Sequence, residues 1–252
     1  IGKVRDDQFG KVFRHDIAGL GMDFTGTPAT EGPATATCLS FVTPDGQRTM
    51  QTYLGIAGAL TAEDVDADLI ASARILMLEG YLWDTPNGPE VFRTAVGAAK
   101  AAGTKVALSL SDPWVVDRHR EPLHTLVKES VDILFANEQE VTALFQTVNL
   151  EDAVEIVDSI CPYAAITRGP DGSIIADRGA RHEITAETVE MVVDTTGAGD
   201  LYAAGVLYGL SQNMDPTACG RLGSMAAAEV ISHMGARPET SLAALMKQKL
   251  AA

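Results

Sequence analysis

From residue 61 onward, apolar positions alternate between helical spacing and short continuous runs, the pattern of strands joined by helices. "TAEDVDADLIASA" (61–73) opens with Thr61 and Asp64 in capping-box spacing and predicts a helix. "RILMLEGYL" (74–82) is a continuous apolar run and predicts a buried strand. "PEVFRTAVGAAKAAG" (89–103) predicts a helix with proline at its start and glycine at its end. "KVALSLS", "VDILFAN" and "YAAITRG" predict further strands, and "REPLHTLVKES", "EQEVTALFQ" and "LEDAVEIVDSI" predict helices. Such alternation implies an α/β fold, a mostly parallel central sheet with helices on both faces.

The first 55 residues follow another rule. "TATCLSFVT" and "RTMQTYLG" are β-branched or alternating runs around Pro-Asp-Gly-Gln, which predicts a hairpin beside the main sheet. Residues 1–55 are therefore expected to be mainly a small β lid, and 56–252 an α/β core. After residue 197 the chain turns helical, with a long Ala-rich helix expected in "DPTACGRLGSMAAAEVISHMG" and a last one in "SLAALMKQKLAA".

Composition narrows the range of functions. Apolar residues make up 46% of 252, enough for a sizeable core. The formal net charge of -15, with no basic stripe, argues against nucleic acid as a partner. A small anion would have to be held by backbone dipoles, a metal ion or isolated arginines. No apolar stretch has the length of a membrane span. Cys38, Cys161 and Cys219 are widely separated and lack metal-ligand spacing, so they read as buried thiols in a reducing, cytoplasmic setting.

Three segments at expected strand ends carry candidate chemistry, since ligands of α/β sheets bind beyond the carboxyl ends of strands. In "VVDTTGAGDLYAAGVLYGL" (192–210), Gly197-Ala198-Gly199 allows close backbone approach at a helix N-terminus, an anion site. Asp200 follows in the first turn, where a carboxylate can take a proton from a hydroxyl attacking phosphorus. The plainer alternative is a tight turn with Asp200 favouring the helix dipole. In "NEQE", Asn137 and Glu140 are spaced for a capping box as well as for polar contact with a ligand. In "TRGPDG", Thr167, Gly169 and Gly172 fit either a phosphate-facing loop or an ordinary hairpin turn through Pro170-Asp171-Gly172.

Together and in this order, the three segments resemble the motifs of the ribokinase-like (PfkB) carbohydrate kinase family. The text "VALSLSDPWVV" with "VDILFANEQEVTAL" is most similar to its adenosine-kinase-like branch. The resemblance implies a ribokinase-like three-layer α/β/α fold with a small β lid. It also implies an ATP-dependent kinase acting on a hydroxymethyl group of a nucleoside or sugar. Asp200 would be the base, and Gly197, Ala198 and Gly199 the anion hole. Thr167, Gly169 and Gly172 would lie near the ATP phosphates, and Asn137 and Glu140 would organise Mg²⁺, Glu140 through water. Arg48, after the hairpin turn, would reach the γ-phosphate, and His233 would line the adenine pocket. Asp194 would help hold a monovalent cation such as K⁺; capping of the turn is its plainer role. A homodimer through the lid is a further implication. A ribokinase- or fructokinase-like sugar kinase and a non-catalytic nucleoside or sugar sensor remain open on the same motifs. Text like "IGKVRDDQFGKVF" normally lies well inside family members, after a first central strand, a substrate-binding Asp and a Gly-Gly-rich segment. An N-terminal portion carrying acceptor contacts is thus expected to be missing from this chain.

Overall fold

The computed structural model describes residues 1–250. The chain forms two compact units, one of Ile1–Ser40 with Met50–His119, the other of Phe41–Thr49 with the chain from Arg120 onward.

The first unit opens with helix α1 (Gln8–Gly19), which the sequence reading did not anticipate. Asp7 starts it: its carboxylate accepts from the N–H of Gly10 (2.8 Å) and from the N–H (2.9 Å) and hydroxyl (2.7 Å) of Thr35. Those bonds, led by the backbone N–H groups of Thr35 and Gly10, hold the Asp7 pKa down at about 2. The expected hairpin is present as β1 (Thr37–Val42) and β2 (Arg48–Tyr53), paired as a sheet of their own, and Cys38 on β1 is exposed instead of buried as expected, because nearly every residue of this two-stranded sheet is exposed.

The helix expected over 61–73 is two elements. The Thr61–Asp64 capping box does form, but it closes a single 3₁₀ turn at Ala62–Asp64. Val65 is then extended, and Asp66 caps a fresh helix, α2 (Ala67–Ser72), by accepting from Leu69 N–H at 2.9 Å. Two acidic caps within three residues thus divide the segment. Strand β3 (Ile75–Glu79) ends before Gly80, and α3 (Gly80–Trp83) takes the residues expected to continue the strand. Helix α4 (Gly88–Ala102) stops where Gly103 adopts φ 74°. Strand β4 (Lys105–Ser109) pairs parallel with β3 from Ile75↔Lys105 to Glu79↔Ser109, and the short α5 (Pro113–Arg118) follows. Phe92 and Leu108 are fully buried in this unit, and Trp83 meets Phe92 edge to face at 4.9 Å.

The second unit runs α6 (Arg120–Ser130), β5 (Ile133–Asn137), α7 (Glu138–Phe145), α8 (Leu150–Ile160) and β6 (Tyr163–Thr167), close to the predicted bounds. Strands β5 and β6 are parallel, with Asn137 beside Thr167 at their carboxyl ends. The chain then folds back as an antiparallel arm, β7 (Ser173–Asp177) and β8 (Ala180–Ile184), which the sequence reading left undescribed. Helices α9 (Ala198–Ser211) and α10 (Pro216–Val230) follow, then α11 (Leu242–Leu250). The small residues after the Gly-Ala-Gly stretch have a packing role: a Cβ on Gly205 would lie 2.6 Å from the backbone of Leu222, so α9 and α10 meet almost backbone to backbone. Leu134, Ile166, Ile175, Val206 and Leu222 form the centre of this core.

Candidate active site

Chain 192–200 lies wholly in the second unit. Val193 N–H donates to the carbonyl of Ile231, at the end of α10, at 2.8 Å. Asp194 is only 2% exposed. Its Oδ1 accepts from Thr196 N–H (2.9 Å) and hydroxyl (2.6 Å), and its Oδ2 from Gly235 N–H (3.0 Å). Burial alone would raise the Asp194 pKa, but these hydrogen bonds, with the nearby Arg48 charge, leave it below the usual carboxylate range. Asp194 is therefore a buried staple that gives the loop its shape.

Gly197 then turns the chain at φ 84°, and a Cβ there would lie 3.0 Å from the carbonyl oxygen of Ala236. Both facts require glycine. Helix α9 starts without any side-chain cap. Ala198 N–H reaches Thr195 O at 3.3 Å, whereas the N–H groups of Gly197, Gly199 and Asp200 have no acceptor among the described residues. At Gly199 a Cβ would meet nothing within 4 Å, so the mouth of this helix is open. Asp200 is exposed in the first turn, and its carboxylate makes no hydrogen bond or ion pair among the described residues. A free carboxylate beside unfilled helix N–H groups is suited to bind an oxyanion and to accept a proton next to it.

The hairpin tip belongs to the same unit. Arg48 Nη1 donates to Thr195 Oγ1 at 2.7 Å, and that hydroxyl lies 3.4 Å from Gly46 O. The guanidinium is thus held next to the loop. An apolar cavity of about 280 Å³ beside the tip is lined by Val42, Pro44, Met191, Val192 and Met234, among others.

Asn137 and Glu140 form the capping box in full: Asn137 Oδ1 accepts from Glu140 N–H at 2.8 Å and Glu140 Oε2 from Asn137 N–H at 2.9 Å. Asn137 Nδ2 also donates to Glu140 Oε1 at 2.7 Å. Thr167 stands between Asn137 on β5 and Ser173 on β7. Gly169 begins a 3₁₀ turn and Gly172 ends it, so "TRGPDG" is also the β6–β7 turn. Tyr202, one half-turn past Asp200, donates to Ser173 Oγ at 2.7 Å, which ties α9 to this turn. The three motifs are therefore brought to one end of the second unit.

His233 lies among carboxylates. Its Nε2 is 3.4 Å from Glu229 Oε2, within ion-pair range though without a hydrogen bond, and its Nδ1 is 3.3 Å from Met234 O. A cavity of about 350 Å³ lies along β8 and α10, lined by residues such as Ile184, Thr185, Glu187, Thr217 and Arg221. The sequence reading named none of these. For Thr185 and Glu187 the one local signal is polar residues just before "VVDTTGAGD", where the structure has an irregular segment instead of the strand expected there, and such residues occur in any loop; Thr217 and Arg221 lie on α10. Gly235 and Ala236 were also missed as supports of the loop.

The residues fit a nucleoside triphosphate with its magnesium. The vacant N–H groups match a phosphoryl group. Among the described residues no cluster of three or more His, Cys, Asp or Glu exists, so Mg²⁺ would arrive held mainly by phosphate and water. No described helix is long and apolar enough to cross a membrane.

Comparison with known proteins gives concordant results. The description "pfkB family carbohydrate kinase" matches residues 1–242. The crystal structure of adenosine kinase from Sinorhizobium meliloti superposes with a TM-score of 0.96 at 42% identity, over 99% of this chain and 76% of that one. An uncharacterised sugar kinase of Archaeoglobus fulgidus is 28% identical over 94% of this chain and 92% of its own length. An ATP-dependent ribose-1-phosphate kinase of Halopiger xanaduensis is 30% identical over 82% of this chain and 65% of that protein.

Proposed function

Because the chain belongs to the pfkB family of carbohydrate kinases, phosphotransferases acting on a sugar or nucleoside hydroxyl with ATP and Mg²⁺, we propose that it phosphorylates a hydroxymethyl group of a nucleoside of the adenosine type. The observation that carries this reading is the open start of α9, with Asp200 unpaired beside it. Asp200 takes the proton from the acceptor hydroxyl as its oxygen attacks phosphorus in line. The N–H groups of Gly197, Gly199 and Asp200 hold the oxygens of the migrating phosphoryl, where charge builds up. Arg48, released from Thr195, adds its positive charge there. Mg²⁺, when bound, neutralises phosphate charge. Asn137 and Glu140, which hold each other in a capping box at the carboxyl end of β5, would organise that ion, Glu140 through water. Thr167, Gly169 and Gly172 border the phosphates. The cavity along β8 and α10 takes the base, since residues 188–193 link it directly to the phosphoryl loop. His233 is a support of the neighbouring loop on this reading.

Asp194 Oδ2 carries a single hydrogen bond, which leaves room for one contact to a cation such as K⁺. The hairpin acts as the lid that keeps water from the phosphoryl. Every residue of β2 is exposed, and Leu39, Phe41 and Tyr53 are more than half exposed, which supports a homodimer through this sheet.

A sugar as acceptor is the second reading, favoured by the sugar kinase of Archaeoglobus fulgidus. The test is ADP release from ATP with a panel of nucleosides and sugars. Turnover of a nucleoside, lost in Asp200→Asn, is expected. Turnover of sugars alone selects the second reading. Tight nucleoside binding without any turnover overturns both in favour of a sensor.

A further inference from the structure

Glu229 occupies the last turn of α10, and its side chain is 7% exposed. A carboxylate there opposes the helix dipole, so helix stability does not explain it. Its hydrogen bonds lead elsewhere. Oε1 accepts from the N–H of Glu239 (2.9 Å) and from the N–H (2.8 Å) and hydroxyl (3.0 Å) of Thr240. One oxygen thereby closes the segment 231–240 back onto the helix that it leaves.

That segment touches the phosphoryl loop at three points. Ile231 O accepts from Val193 N–H, Gly235 N–H donates to Asp194 Oδ2, and Ala236 lies against Gly197. Gly235 and Ala236 belong to a stretch outside any helix or strand, so no helix or sheet ladder holds them and the closure of the segment bears on where they lie. One end is the α10 terminus; the other is Glu229 Oε1. We propose that Glu229 is a positioning residue for phosphoryl transfer: by closing the segment 231–240 it sets Asp194 and Gly197, and through them the vacant N–H groups of Gly199 and Asp200. This rests on the phosphotransferase reading of the site.

The test compares Glu229→Ala, Glu229→Gln and Thr240→Ala with the wild-type chain. A glutamine carbonyl accepts the same three hydrogen bonds, whereas alanine accepts none. In Glu229→Ala, kcat is expected to fall roughly 10–100-fold with KM for the alcohol little changed, because small misplacements of the reacting groups act on the transition state. Glu229→Gln restores most of kcat, and Thr240→Ala shows a smaller fall of the same kind. Amide hydrogen exchange without substrate is expected to speed up in Glu229→Ala at the bonded amides of 194–200, those of Asp194, Thr196 and Ala198, while β5 and β6 stay protected. A fall in melting temperature with unchanged kcat and unchanged exchange at 194–200 overturns the proposal and leaves a helix-end clip. If Glu229→Ala does not fold, Thr240→Ala carries the same two readouts. If the wild-type chain turns over no alcohol, the phosphotransferase reading fails, and the exchange result alone decides whether Glu229 controls the loop.

Discussion

Helices α7 and α9 begin at the same end of one unit and are finished in opposite ways. At α7 the chain uses its own side chains: Asn137 and Glu140 satisfy each other's backbone N–H groups, so the helix start itself offers no vacant N–H at these two positions. At α9 a left-handed glycine replaces the cap, no side chain turns back, and the N–H groups of Gly199 and Asp200 stay vacant. A helix start without a cap loses about 1 kcal/mol. The chain recovers order there from a distance, through the Asp194 staple and the 231–240 segment. Vacant donors held rigidly from behind are what an oxyanion site needs.

The contrast can be broken most severely at Asp200. Asp200→Asn keeps size and fold but removes the proposed base, so kcat should fall by roughly 10²–10⁴-fold with ATP affinity nearly unchanged, measured by ADP release and by calorimetry. Next come the two glycines of the open start. Gly197→Ala meets both a positive φ and Ala236, and should lose about 1–2 kcal/mol of stability along with activity. Gly199→Ala has room in the fold, so denaturation should show no loss while ATP binding weakens. Equal destabilisation by both would mean that the mouth of α9 is not open. At the closed start, Glu140→Gln should lose about 1 kcal/mol, because its amide faces the Asn137 Nδ2 donor. It should also raise the Mg²⁺ requirement roughly 10–100-fold in a metal titration of activity.

The smallest effect belongs to α1 in the other unit, whose cap Asp7 is ionised and bound. Its folded pKa of about 2 lies below the ordinary aspartate value of 3.8, so the cap's stabilisation is present above 3.8 and is lost as pH falls toward 2. Asp7→Asn should lower the melting temperature at pH 7 and 5, with the gap closing between pH 4 and 2. A gap that persists at pH 2 would show that the charge of Asp7 is not the cause.

Local signals made much of this legible. Helices α6 and α8 have the bounds that apolar spacing predicted, and Gly103 ends α4 as proposed. The carboxylate and glycines at the start of α9, the Asn137–Glu140 box and the Thr167–Gly172 turn lie in residues adjacent in the chain. Helix α1 was missed although Asp7 was its signal, and the antiparallel arm was missed because "SIIAD" and "ARHEI" are too short for a clear period. The Thr61–Asp64 box was read correctly as a box and wrongly as the start of a long helix, because Asp66 competes as a second cap.

The sequence by itself determined most of the alternating helices and strands between residues 74 and 167, which carboxylate stands at the mouth of α9, and the family to which the chain belongs. Those features depend on side chains within about one helical turn of each other. Only the tertiary structure decided which helix start stays open, since Asp194 meets Gly235 from 41 residues away and Arg48 meets Thr195 from 147. It also gave Glu229 its partners ten and eleven residues downstream. Burial of the loop chooses these pairs, because a polar group removed from water must find a partner wherever the fold supplies one, and no local spacing specifies that partner.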